Sequence, residues 1–502
     1  MADVDTAMDD ASTPAAPIPS CPFQKVPLEV LLRITSFLTT PELGKIRLTC
    51  RSIEQSLDTT FIKEFFTRKQ FMLSDDSLQA LIDISKSRLG VYLRMVHFGL
   101  DRYPAVLQGR GDVERDTKLL FRHAGMFTLW STGYHRDMLA EAFRHLTNLE
   151  DVVIRDFNST KRTRDGPFKP WTSYGSTTAS AETGVRITQD GFNTWNTDFS
   201  PHFSSQVLSA VLMALGQAEA RPKGIEVMSR RANQLKSFAF NITPYMESSV
   251  LPVLQSLEKL HLDVDLTWRA AGFGVVRPNP PTASDYMLRK FLLNATHVRH
   301  LRINEVHSED GGVGGLLRWL AGNTAATPPL PAAMDTASMP AILAPAFVHL
   351  EELNLGLMNV EASWALDVIR KLAPTLKRLE LWKLTLQRSL PDNHSGSPPK
   401  VSFWAKFLER LRDIPGLDLH HIMAGNLQQQ WRTRPSKSKV SFRDRTSIMK
   451  YTGTDWKHFV GEMIPRVEVS YAHDEGDGNN SDEDDGSDED QDDGDDNSDD
   501  DQ

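Results

Sequence analysis

The stretch VPLEVLLRITSFLTTPELGKIRLTCRSI, residues 26–53, predicts two short helices and the start of a third. Pro27 suits the first position of a helix, because its missing N–H would have no partner there. Leu28 and Leu31 then begin an apolar side, and Thr40 is the expected N-cap of the second helix. A segment this short cannot bury so much apolar surface by itself. It must therefore pack on the rest of the chain or on a partner protein.

The order of residues in this stretch resembles the F-box, the helical module that docks adaptor subunits onto cullin–RING ubiquitin ligases. The resemblance extends through residues 48–51 and 61–103, which look like filamentous-fungal members of the family. Val26 and Ile53 are mild departures, since Leu is commoner at the first position and Leu or an aromatic residue at the second. The resemblance rests on Val26-Pro27-Leu28-Glu29, Val30-Leu31, Ile34, Phe37-Leu38, Glu42-Leu43 and Cys50-Arg51-Ser52-Ile53.

This resemblance implies a non-catalytic substrate adaptor of a Skp–cullin–F-box ubiquitin ligase. The helical module, residues 22–66, would bind the Skp-type adaptor and through it the cullin scaffold, while the following region would hold a protein substrate. Neither the substrate nor its degradation signal follows from the resemblance. It assigns adaptor binding to seven residues, without separating those that face the partner from those that pack on this chain: Pro27, Leu28, Leu31, Ile34, Leu43, Ile46 and Leu48.

The body of the chain and its acidic tail, residues 471–502, differ sharply in charge. The tail holds 17 of the 66 acidic residues and no Lys or Arg, so 56 basic residues face the 49 acids that remain and the body is near +7. Such self-repulsion predicts a disordered tail, and the small polar residues 1–20 are predicted to be disordered too. Ser481, Ser487 and Ser498 have acids one and three residues further on, a context similar to that preferred by casein-type kinases, and are predicted phosphorylation sites.

Composition favours a cytoplasmic or nuclear protein. With 40% apolar residues the chain can form a sizeable core. Cys21 and Cys50 are the only cysteines, which excludes a disulfide framework and a thiolate zinc site. No run of 18 apolar residues and no signal peptide occurs, so no membrane association is expected.

A loose apolar pattern recurs along residues 67–470: three positions spaced by three, then a fourth two residues further. Single matches are expected by chance, but the strict form Leu-x-x-Leu-x-Leu begins at Leu257, Leu350 and Leu376, and amphipathic helices precede several copies. The last two positions suit a short strand with one buried face. These pairs are Val96/Phe98, Val152/Ile154, Phe238/Phe240, Leu260/Leu262, Leu301/Ile303, Leu353/Leu355, Leu379/Leu381 and Leu417/Leu419.

Helix followed by strand, repeated, resembles a degenerate leucine-rich-repeat solenoid. The family's asparagine after each strand is replaced here, for example by Met358 and Leu384, and the copies are unevenly spaced. We therefore expect an α/β fold in which an irregular solenoid follows the helical module; an ordinary α/β domain with Leu-rich strands is the alternative. Inserts near residues 158–205 and 321–345 are either part of a binding surface or merely tolerated.

Signatures of catalysis and of cofactor binding are weak. The glycines at residues 311–315 precede an apolar helix but lack the Lys-Ser/Thr of a phosphate loop, and His420 and His421 lack the spacing of a zinc protease. No enzyme, cofactor or metal site is predicted. The basic residues from Arg432 to Arg445 could contact nucleic acid or an import receptor, but such a run is more often a solvated face. Transient pairing with the acidic tail of the same chain is a further alternative. A rival function of another class is a stand-alone interaction protein whose acidic tail binds basic partners such as histones.

Overall fold

The computed structural model describes residues 22–103, 112–158, 164–166, 171–185, 187, 202–230, 233–266, 285–305, 312–322, 342–389, 399–432 and 436–471. Residues 1–20, parts of both inserts and the acidic tail after residue 471 lie outside these ranges. The same holds for the predicted phosphorylation sites Ser481, Ser487 and Ser498.

Three helices make up the helical module: α1 (Leu28–Thr35), α2 (Thr40–Arg47) and α3 (Arg51–Phe65). The N-cap of α2 is Thr39 and not Thr40, so the expectation was wrong by one residue. The reason is Glu42, whose carboxylate accepts hydrogen bonds from the Thr39 amide at 2.9 Å and from its hydroxyl at 2.8 Å. The helices enclose a small core of their own, formed by Leu31, Leu43, Ile53, Leu57 and Phe65.

The rest of the described chain is a mixed α/β structure with one large, mostly parallel sheet, which confirms the α/β class. Its strands lie side by side in chain order, β5 pairs with the end of the next strand, and only the last pair is antiparallel. The strands are β1 (Arg68–Met72), β2 (Met95–Gly99), β3 (Asp151–Arg155), β4 (Gly224–Met228), β5 (Leu235–Lys236), β6 (Lys259–Asp265), β7 (His300–Glu305), β8 (Glu352–Gly356), β10 (Arg378–Trp382), β12 (His421–Gly425) and β15 (Ile448–Thr452).

A second sheet of five strands lies beyond the carboxyl ends of the last parallel strands, in the order β16-β14-β13-β11-β9. The chain turns a corner after β8, β10 and β12 at a residue with positive φ: Leu357 (58°), Lys383 (48°) and Asn426 (50°). The strands of this sheet are β9 (Asn359–Glu361), β11 (Thr385–Arg388), β13 (Gln428–Trp431), β14 (Ser438–Phe442) and β16 (Val467–Ser470).

Helices cover one face of the large sheet, against the apolar side chains of its strands, and neighbouring helices pack on one another. Gly216 permits the close approach of α8 to α9, because a Cβ there would lie 2.8 Å from the Ser249 carbonyl oxygen. These helices are α4 (Asp75–Lys86), α5 (Val113–Thr132), α6 (Tyr134–His145), α7 (Ser176–Thr183), α8 (Phe203–Gln217), α9 (Pro244–Ser256), α10 (Tyr286–Asn294), α11 (Gly312–Leu320), α12 (Ala362–Leu372), α13 (Phe403–Arg412) and α14 (Trp456–Met463).

Register in the large sheet follows the apolar pattern. Leu260 pairs with Leu301, Leu301 with Leu353, and Leu353 with Leu379. Each of these side chains is at most 1% exposed, so the row is continuous core. The strict Leu-x-x-Leu-x-Leu copies therefore mark true strands.

Two copies of the apolar pattern were assigned to the wrong residues. Phe238 and Phe240 belong to a 3-10 helix, Ser237–Phe240, and the strand of that repeat is β4, whose buried apolar residues are Ile225 and Val227. Leu417 and Leu419 precede a strand instead of forming one. The strand that follows is β12, whose buried pair is Ile422 and Ala424.

The residues just before the parallel strands alternate in charge. Each backbone amide of this column donates to the carbonyl of the preceding member at 2.7–2.8 Å, so the side chains stand next to one another. Arg94 contacts Glu150 at 2.9 Å, and Arg299 contacts Glu351 at 3.1 Å. Exposed pairs of this kind contribute less than about 1 kcal/mol each, but like charges in register would be unfavourable. The column is Arg94, Glu150, Lys223, Glu258, Arg299, Glu351 and Lys377.

Candidate interaction surfaces

Helix α1 is apolar on two sides. Leu31 and Thr35 face the core of the module and are each 3% exposed. Other apolar side chains on α1 and just beyond its end remain exposed. We call the exposed set the docking surface; it consists of Leu28 (47% exposed), Val30 (49%), Ile34 (36%), Phe37 (72%) and, at the end of α2, Leu48 (88%).

The structure separates the seven residues to which adaptor binding was assigned. Leu31 and Leu43 are 3% and 4% exposed and form the module's own core, and Ile46 packs partly against that core. Pro27, Leu28, Ile34 and Leu48 are exposed. Val30 and Phe37 were not in the predicted set, although their spacing from Pro27 and Ile34, three residues each, places all four on one side of a helix.

Arg164, in the first insert, ties the helical module to the body of the chain. Its guanidinium binds both carboxylate oxygens of Glu64 on α3, at 2.6 and 2.7 Å. It also donates to the carbonyl oxygens of Leu38, at 3.0 Å, and Thr35, which lie in the α1–α2 turn. The hydrogen bond to Glu64 raises the pKa of Arg164 despite its partial burial. A bidentate pair of this kind fixes orientation as well as position.

Asp165 completes this contact. Its carboxylate accepts hydrogen bonds from the amide of Thr40 at 2.8 Å and from the Thr40 hydroxyl at 2.6 Å. A carboxylate at the first turn of α2 also complements the helix dipole. Arg164 and Asp165, which we call the clamp, hold the α1–α2 turn beside the docking surface.

A second link joins α3 to the end of α4. Asp58 accepts hydrogen bonds from Arg88 at 2.6 Å and from Arg47 at 3.2 Å. The hydrogen bond from Arg88 lowers the pKa of Asp58, against a smaller opposing effect of burial. The guanidinium of Arg47 lies 3.4 Å from the ring centroid of Phe61. The module is therefore held to the body on two sides.

The first insert also covers the β1 edge of the large sheet. Tyr174 forms a parallel bridge with Phe71: its amide donates to the Gln70 carbonyl at 2.8 Å, and its carbonyl accepts from the Met72 amide at 3.3 Å. An uncovered edge strand invites pairing with other chains. The described part of the insert thus has structural roles that neither sequence interpretation anticipated.

The face of the large sheet opposite the helices is polar, and we call it the polar face. Glu226 lies 3.1 Å from both His261 and Lys259, and Lys259 also approaches Asp151 at 3.6 Å. Burial opposes the ionisation of Glu226, but the hydrogen bond and charge of His261, together with Lys259, outweigh it and lower the pKa. Farther along, Arg378 lies 3.1 Å from Glu352. Most charges of this face are thus neutralised within it.

Arg302 differs from its neighbours on the polar face. It lies between His261 and Asn354 in register and is partly exposed, and its side chain forms no ion pair or hydrogen bond with another residue in the described ranges. Its charge acts at longer range, helping His421 to lower the pKa of Glu380 against burial. Arg302 is therefore a cation of this face that is available to contact a ligand.

Among the residues that the structure describes, no group of three His, Cys, Asp or Glu side chains is arranged to hold a metal ion. Within the same ranges, every helix is too short or too polar to cross a bilayer. A comparison of the chain with protein-family models and with curated protein sequences finds no match.

Proposed function

We propose that this chain is a non-catalytic substrate adaptor of a Skp–cullin–F-box ubiquitin ligase. The docking surface supports this proposal most strongly. It lies in the segment whose residue order resembles the F-box, and it leaves five large apolar side chains in water. Exposed apolar side chains concentrated in this way often mark a protein–protein contact.

In this proposal the docking surface binds the Skp-type adaptor, which in turn binds the cullin scaffold. Leu28, Ile34 and Phe37 are the proposed anchors, since they are exposed on or just after a helix that Leu31 fixes in the module's core. Leu31 and Leu43 contribute indirectly by holding that helix in place. The clamp would set the direction in which the bound adaptor projects from the body.

The region after the module is, in the same proposal, an irregular leucine-rich-repeat-like solenoid that holds the protein substrate. Parallel strands in chain order, with helices on one face, support this interpretation. Buried Met358, Leu384 and Leu427 take the place of the family's asparagines at the corners. The polar face would contact the substrate, and Arg302 would attract an acidic group on it.

The rival is a stand-alone interaction protein whose acidic tail binds basic partners such as histones. The tail lies outside the described residues, so its charge alone favours this function. The two functions differ in what the docking surface does, because only the first requires it.

Adaptor binding is testable with the purified full chain and a purified Skp-type adaptor. Changing Leu28 and Ile34 together to Asp should weaken binding by roughly a thousandfold, because two interface anchors contribute about 4 kcal/mol. The matched control changes Leu120 and Phe127 to Asp; both are exposed apolar residues on a helix, α5, at 56% and 51%. Equal affinities of the wild type and the docking variant in calorimetric titration would refute the assignment.

A further inference from the structure

Strand β14 presents a row of cationic side chains to solvent. Lys439 lies in the strand and alternates with the buried Val440 and Phe442, whereas Lys437 immediately precedes the strand and Arg443 immediately follows it. All three are exposed, and within the described ranges their side chains form no ion pair. We call these three residues the cationic row, which is about 20 Å long at 3.3 Å per residue.

Protection of a sheet edge does not account for this row. Lysines are common on edge strands, where they prevent pairing with other chains. β14, however, lies inside the second sheet, between β13 and β16. The acid nearest in register is Glu468, opposite Ser441, and it is one negative charge against three positive ones. The row therefore retains net positive charge.

The acidic tail leaves the described structure beside this row. Lys439 pairs in register with Ser470, the last residue of β16. The next residue is Tyr471, whose ring centroid lies 5.5 Å from the Nζ atom of Lys400. Asp474 follows three residues later, so it is within about 11 Å of Tyr471 even if the chain is extended. This reach is close to the screening length of about 8 Å at physiological salt.

We propose that the acidic tail binds to the cationic row of its own chain. The tail brings 17 acids to a body near +7. A segment tethered this close meets the row at an effective concentration on the order of 1 mM, so pairs worth under about 1 kcal/mol each can act together. A basic partner of the tail, or an anionic partner of the row, must then displace this internal contact. Phosphorylation at Ser481, Ser487 or Ser498 would add about −1.5 to −2 charges to the tail at each site and so strengthen the contact.

Carbodiimide cross-linking tests the contact in the unmodified full chain, because it joins a carboxylate to a lysine amine only at contact distance. In 20 mM salt, carboxylates of residues 474–501 should couple chiefly to Lys437 and Lys439. In 1 M salt the screening length falls to about 3 Å, so these links should disappear. Mixing isotope-labelled with unlabelled chains identifies links between molecules. Links spread over exposed lysines such as Lys45 and Lys223, or links mainly between molecules, would overturn the proposal.

Competition gives an independent test with a single-stranded oligothymidylate as the anionic probe. Replacing the 17 tail acids by Asn and Gln should tighten probe binding at least tenfold. Lys437→Glu, Lys439→Glu and Arg443→Glu together should remove this gain, whereas the same reversal at the exposed Arg144, Arg221 and Lys406 should largely preserve it. Equal probe affinity with charged and neutral tails would contradict the proposal. Neither test depends on adaptor binding, so its outcome leaves the proposed function open.

Discussion

Glu305 is fully buried at the end of β7, and neither of its carboxylate oxygens has a hydrogen-bonding partner of normal geometry. Two further acids lie nearby, Asp265 and Asp285, each paired with its own cation, Lys236 and Arg289. Burial is the main cause that raises the pKa of Glu305 well above its ordinary value, and the charges of these two acids add to it. The Glu305 carboxyl therefore stays protonated at pH values above the ordinary pKa of a glutamate.

This raised pKa predicts a pH-dependent stability. Between the ordinary pKa of a glutamate and the raised value, the unfolded chain releases a proton that the native chain keeps, so the free energy of unfolding falls as pH rises. Glu305→Gln should remove this loss, and its stability relative to the wild type should grow from pH 5 to pH 9. Asp263, whose pKa burial raises to about 6, changes stability in the same direction in both proteins and cancels in the comparison. Urea unfolding at five pH values measures the difference; a difference independent of pH would show that Glu305 titrates normally.

At the scale of elements, we expect the clamp to stabilise the α1–α2 turn locally and to leave the stability of the large sheet unchanged. Arg164→Ala with Asp165→Ala removes the partners of Glu64 and of the first turn of α2. Losing a capping hydrogen bond costs about 0.5–2 kcal/mol, and one to a charged group about 1.5–3 kcal/mol. Hydrogen exchange of the amides at residues 35–43 should accelerate at least tenfold, while the strands of the large sheet stay protected.

A matched control for the clamp is Lys118→Ala, which breaks an exposed pair with Glu114 on α5. Its exchange should equal that of the wild type, because such helical pairs contribute only about 0.3–0.5 kcal/mol. Unchanged exchange at residues 35–43 in the double variant would mean that the module is held in place without the clamp.

The corners between the two sheets permit a second test at this scale. Met358, Leu384 and Leu427 are at most 1% exposed at equivalent positions, one residue after each corner. Leu384→Asn should lower the free energy of unfolding by about 2–5 kcal/mol, since it leaves a cavity and buries an amide. Leu384→Met keeps the volume and should cost less than about 1.5 kcal/mol. An unchanged urea midpoint for Leu384→Asn would show that the corner satisfies an asparagine, as a regular repeat would.

The sequence predicts those elements whose apolar residues fit only one way of burying them. The strict leucine copies at β6, β8 and β10 are such cases, because the leucines of each strand all lie on one face. β4 could not be found in this way, since Ile225 and Val227 alone form no recognisable copy. β13, Gln428–Trp431, has almost no apolar alternation, and backbone pairing to β11 and β14 defines it instead.

The candidate docking surface was only partly predictable for a related reason. Leu28 and Leu31 are three residues apart on the same side of α1, and periodicity alone does not show that the first is exposed while the second is buried. The clamp depends on contacts between residues 100 or more positions apart, such as Glu64 and Arg164. No local pattern in the sequence specifies such pairs, which arise from the fold of the whole chain.

At the scale of the whole molecule, the protein has two candidate surfaces at opposite ends of the chain. The docking surface is apolar and precedes β1, whereas the cationic row and the start of the acidic tail follow β12 at the far end of the sheet order. Nine parallel strands separate them, from β1 to β12. We therefore expect adaptor binding to be insensitive to the charge of the tail.

The most direct test is affinity capture of the tagged full chain from cell extract, with quantification of recovered cullin. The wild type and the Leu120→Asp, Phe127→Asp control should recover cullin equally, and the chain with a neutral tail should match them. The Leu28→Asp, Ile34→Asp variant should lose cullin at least tenfold while it remains folded by its melting temperature. Cullin recovery that persists in this variant, or wild-type capture of basic chromatin proteins without cullin, would contradict the account.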